Sequence, residues 1–96
     1  MDNNILPIGS IVELNNSEAL YMIVGFLPVN NRNNQLFQYS AVIYPGRSFG
    51  ISKLCMFNHN DIKKVVFEGF SDDDFDKYKK DIEPYVERTK NEQTNN

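Results

Sequence analysis

The stretch Phe57-Asn58-His59-Asn60-Asp61-Ile62-Lys63-Lys64-Val65-Val66-Phe67-Glu68-Gly69-Phe70, followed at once by Ser71-Asp72-Asp73-Asp74-Phe75, decides the fold class. Asn58, Asn60 and Asp61 are residues whose side chains bond nearby backbone, which is turn chemistry. Lys63 to Glu68 is rich in β-branched and aromatic residues and reads as a strand, and Gly69 ends or kinks it. From Ser71 the pattern changes. Its hydroxyl can accept from the free amides of a first helical turn, and Asp72, Asp73 and Asp74 suit the positive end of a helix dipole. Asp74, three residues on, is an analogue of the capping-box acid. Phe75, Tyr78, Ile82, Tyr85 and Val86 then recur at helical spacing as one apolar stripe. Pro84 interrupts that helix, and a kink or a break is expected there.

Working back toward the N-terminus, every element is a strand. Pro7 and Gly9 shape an extended entry and a turn or bulge, and Ile11-Val12-Glu13-Leu14 is the first strand. Asn15 to Glu18 is a polar turn, and Ala19 to Leu27 forms the second strand of a hairpin, with Gly25 a bulge or close-packing point. Pro28 to Asn34 is too asparagine-rich to favour a regular element and reads as an exposed loop. In the strand Phe37 to Tyr44 the first half alternates apolar and polar, so Gln38 and Ser40 are expected to face water. Pro45 and Gly46 end that strand. Ile51 to Phe57 holds a further short strand or a helical turn, with the strand favoured. Strands that precede one helix without alternating with it describe an α+β domain: a curved antiparallel sheet or partly open small barrel of four to five strands and a C-terminal helix.

The chain has 96 residues, 41% hydrophobic and 12% aromatic, enough for one core and too short for two. Residues 1–90 form that domain, and 91–96, without an apolar side chain, are expected to fray. A net charge of −3 argues against binding a phosphate backbone. The single Cys55 excludes an internal disulfide, and no apolar run approaches the ~20 residues that span a bilayer. The start lacks the basic region of a signal peptide, so the cytoplasm is the expected compartment, with export alongside a partner left open.

Candidate chemistry is sparse. One histidine and one cysteine make no zinc site, and the five glycines are scattered rather than gathered in a phosphate loop. The acidic run from Asp72 to Asp76 lacks the alternating ligands and central glycine of a calcium loop. Cys55 and His59 lie four residues apart with no third group marked to orient the imidazole. No catalytic, metal or cofactor residue is therefore assigned. Pro7, Gly9, Pro45, Gly46, Asn58, His59 and Asp61 are read as turn-forming positions. The stripe Phe75, Tyr78, Ile82, Tyr85 and Val86 is the candidate partner-binding surface unless the domain's own core consumes it.

Five fragments, in order, carry a resemblance. They are Leu6 to Val12 (LPIGSIV), Met22 to Gly25 (MIVG), Tyr39 to Gly46 (YSAVIYPG), Phe57 to Ile62 (FNHNDI) and Val65 to Phe70 (VVFEGF). Together they resemble a family of small Gram-positive bacterial proteins of unassigned biochemical function, encoded beside LXG-type toxins and small helical partner proteins in type VII secretion loci. The likeness spans about residues 6 to 83, and Gln38 stands where the family pattern leads one to expect an acidic residue. The resemblance implies an accessory, chaperone or targeting role for a toxin, a protein partner, and no catalytic residues. An immunity protein that neutralises the toxin and a small-barrel nucleic-acid-binding domain are the alternatives.

Overall fold

Alternation and turn chemistry resolve into seven strands and one long helix in the computed structural model, which describes residues 5–30, 32–45 and 54–94, with side chains through residue 90. Strands β1 (Ile11–Leu14), β2 (Leu20–Phe26), β5 (Tyr39–Tyr44), β6 (Cys55–Phe57) and β7 (Ile62–Phe67) form one antiparallel sheet in the order β6-β5-β2-β1-β7. A second, two-stranded sheet pairs β3 (Val29–Asn30) with β4 (Gln35–Leu36). Helix α1 spans Asp73–Thr94. The α+β reading holds, with the main sheet curled but unclosed.

The curl follows from connectivity. β6 and β7 occupy opposite edges of the sheet, yet only Asn58 and the 3-10 turn His59–Asp61 separate them in sequence. A flat five-stranded sheet would hold its edges about 19 Å apart. Five residue steps reach about 17 Å fully extended, and a 3-10 turn reaches much less. The sheet must therefore coil for the chain to cross. Bulges supply the bend. Val24 is the extra residue opposite β5, between the pairs Ile23↔Ala41 and Gly25↔Ser40, as the glycine foretold. β7 carries two register shifts against β1.

One face of the sheet carries the core: Val12, Ile23, Tyr39, Ala41 and Phe57 cluster with Ile5 from the N-terminal segment and Ile82 and Val86 from the helix. Gly69 closes the exit of β7 against the backbone of Ile8 and Ser10, and its N–H donates to Ser10 Oγ at 2.9 Å. A Cβ there would collide with main chain, so the stop has a packing cause as well as a conformational one.

Four expectations change. The asparagine-rich segment is the β3–β4 hairpin and not an irregular loop, because its side chains satisfy its own backbone: Asn30 Oδ1 accepts from Arg32 N–H and Asn33 Oδ1 from Gln35 N–H. Asn34 takes a positive φ of 57°. Gln38 and Ser40 do not face water; they are 3% and 8% exposed. Ser40 lies beneath the Gly25 bulge, and Gln38 is covered by the helix and the 3-10 turn. The helix cap is Asp72, whose Oδ1 accepts from Phe75 N–H at 3.0 Å, leaving Ser71 outside. Finally, Pro84 does not divide the helix, which is a single element from Asp73 to Thr94. Pro84 is exposed, and the buried Ile82, Val86 and Thr89 anchor the helix on both sides of it.

Candidate functional site

The turn that joins β6 to β7 is wired to every layer of the domain. Asn58 Oδ1 accepts from Gln38 N–H at 3.0 Å, and Asn58 N–H donates to Asp61 Oδ2 at 2.9 Å. His59 N–H donates to Gln38 Oε1 at 2.6 Å, while Gln38 Nε2 donates to Thr89 Oγ1 at 2.8 Å. Thr89 passes its own proton to the Val86 carbonyl. Gln38 thus bridges the turn to the helix with one acceptor and one donor, a division of labour that an amide performs and a carboxylate does not.

Tyr39 lies at the centre. Its side chain is fully buried between Phe26 and Phe57, its hydroxyl accepts from Leu6 N–H at 3.0 Å, and the same oxygen sits 2.8 Å from His59 Nδ1. Burial pushes the Tyr39 hydroxyl up to about 12, against a smaller lowering by the Leu6 N–H. Burial also holds the His59 imidazole below its ordinary range, with the nearby Lys90 charge acting in the same direction. No buried side-chain nitrogen or oxygen lacks a partner among the described residues.

The structure separates the residues named from sequence. Pro7 and Asn58 are buried, Gly9 takes a φ of +91°, and Pro45 is exposed beyond the end of β5; Gly46 lies outside the described residues. His59 and Asp61 belong to the turn just described. In the helical stripe, Ile82 and Val86 are core residues, Phe75 packs against the core, and Tyr78 stacks on Phe26 with ring centres 5.6 Å apart. Of the stripe, Tyr78 and Tyr85 stay exposed, at 40% and 51%.

A different surface is left open. The ladders place Phe67, Ile11, Met22 and Val42 side by side in one row across β7, β1, β2 and β5. Directly paired residues share a face, and Ile11 and Met22 are next in chain to the buried Val12 and Ile23. The row therefore lies on the face turned away from the core and the helix. Phe67 is 59% exposed, and Ile11, Met22 and Val42 are half-buried. Ile8, close to Gly69, and Phe70 just beyond it extend the apolar surface at the exit of β7. Sequence reasoning passed over this row, although a signal was present. Ile11-Val12 and Met22-Ile23-Val24 are apolar at both parities, as strands are when both faces are to be covered.

Fold and surface together define a small α+β domain with a polar turn hydrogen-bonded to its core and an apolar row on its outer sheet face. Residues 5–77 match the model of the family described as Domain of unknown function (DUF4176), and the chain belongs to that family. No curated protein and no solved structure shows a significant match. Among the described residues no helix is long and apolar enough to cross a membrane. Nor, among them, does any group of three or more His, Cys, Asp or Glu side chains come together that could hold a metal ion.

Proposed function

We propose that this protein is a non-enzymatic accessory factor of type VII secretion. In this reading it is a chaperone or targeting protein that binds an LXG-type toxin, or the small helical proteins that accompany one, in the cytoplasm before export. The observation that carries the binding half is the apolar row Phe67, Ile11, Met22 and Val42 on the outer sheet face. Phe67 is exposed and Ile11, Met22 and Val42 are half-buried beside it, so a partner's apolar face set there would cover Phe67 and complete the burial of the row. The toxin half rests on the five fragments that resemble proteins encoded in such loci.

The sheet edges favour contact through side chains over addition of a partner strand. β6 is three residues long, and β7 carries two bulges and the charges of Lys63 and Lys64, devices that blunt an edge. The helical stripe is largely occupied within the domain, so it offers the partner little.

The test is co-expression with the neighbouring toxin, whole and truncated, followed by capture. Association with the toxin's N-terminal targeting region is expected, and Phe67→Asp should weaken it about tenfold or more while the melting temperature holds. Capture of the toxic C-terminal domain alone, with rescue of growth, would replace this reading with an immunity protein. Unchanged toxin stability and export in a strain lacking this protein would end it.

A further inference from the structure

We propose that His59 is the proton-sensitive pin of a latch that fastens the Ile5–Leu6 segment to the sheet and the helix, and that mild acid opens this latch. The geometry assigns the imidazole one tautomer. Tyr39 Oη already accepts from Leu6 N–H, and among the described residues its proton has one acceptor within reach, His59 Nδ1 at 2.8 Å. With the side chain wholly buried among Phe26 and Phe57, that proton cannot turn to water. Nδ1 is therefore unprotonated in the closed latch, and the ring proton is on Nε2.

A proton added to Nδ1 removes the acceptor. Two donors then face each other, and either the Tyr39 proton is left unpaired in the core or the ring swings out. His59 is half-buried, so outward rotation is the cheaper course. Tyr39 then loses one of its two fixings, and the Leu6 amide that depends on the same oxygen loosens with it. Through His59 N–H and Gln38 the movement also reaches Thr89 on the helix.

Burial is the main cause that favours the neutral imidazole, and groups from three elements face it. From α1 the Lys90 charge opposes a second cation. From β5 come Tyr39 and the neutral Gln38. From its own turn, the Asp61 carboxylate is engaged by Asn58 N–H. The folded imidazole thus titrates below its ordinary value of 6.5. Between the two values the open or unfolded chain binds more protons, so closure is complete above 6.5 and is lost as the pH falls toward the folded value.

The experiment is an NMR titration of the full chain from pH 7.5 to 5, reading the His59 ring nitrogens and the exchange protection of the Leu6 amide. The Nε2–H tautomer is expected at pH 7.5. Leu6 protection, corrected for intrinsic exchange, should fall about tenfold in step with His59 protonation, the effect of losing one buried hydrogen bond. His59→Gln should hold Leu6 protection level over the same range. Protection that stays level in the parent protein, or that falls equally in the variant, would overturn the proposal. Should His59→Gln not fold, Lys90→Gln decides. The His59 midpoint must rise and carry the Leu6 midpoint with it, and separation of the two midpoints would refute the latch.

Discussion

At the scale of the residue, Gln38 joins the 3-10 turn to the helix by using both ends of one amide. Its amide donates to Thr89 and accepts from His59, both within the core. Gln38→Glu would set an acceptor against Thr89 Oγ1, whose proton is committed to Val86. The variant should lose about 1–3 kcal/mol in denaturant melts at pH 7. Burial would raise the new carboxyl's folded value above its unfolded one, so the loss should shrink as the pH falls and the acid regains a proton to donate. That trend runs opposite to the His59 dependence, which makes the two separable in one pH series. None of this was legible from the alternation of Phe37 to Tyr44, which put Gln38 in water. The residues that bury it, Thr89 and His59, lie 51 and 21 positions away in sequence.

Elements were more legible than contacts. Strands β1, β2, β5 and β7 and the start of α1 lie within a residue or two of where local pattern placed them, since strand and helix periodicities are written in consecutive side chains. Caps and glycines test the detail. Asp72→Ala should destabilise by about 1 kcal/mol, and Ser71→Ala should leave thermal stability nearly unchanged, because the bond to Phe75 N–H comes from Asp72. The glycines should divide as well. At Gly69 an added methyl meets the main chain of Ile8 and Ser10, whereas at Gly25 it meets the hydroxyl of Ser40, which can rotate. Gly69→Ala is expected to cost about 1–3 kcal/mol in chemical denaturation and Gly25→Ala distinctly less. The β3–β4 hairpin escaped a pattern-based reading because its pairing depends on asparagine side chains bonding locally, a chemistry equally common in irregular loops.

For the whole molecule, the helix is part of the core rather than an appendage. The family match ends at Lys77, yet Ile82, Val86 and Thr89 beyond it are buried against the sheet. A chain ending at residue 77 should fail to give a cooperative melt by circular dichroism, while a chain ending at residue 94 should melt like the parent. The same packing explains why the Phe75 to Val86 stripe, the natural docking surface on paper, is mostly spent within the domain. It leaves the outer sheet face uncovered by the helix. Local sequence determined the class of fold, the order of the main-sheet strands and the helix, the bulge at Gly25 and the stop at Gly69, because each follows from a few adjacent side chains and their backbone preferences. Only the tertiary structure decided which face of the sheet the helix covers, that His59 and Tyr39 share a part-buried hydrogen bond, and that Phe67, Ile11, Met22 and Val42 form one row. Those facts depend on strand register and on contacts between distant segments, and no window of neighbouring residues contains them.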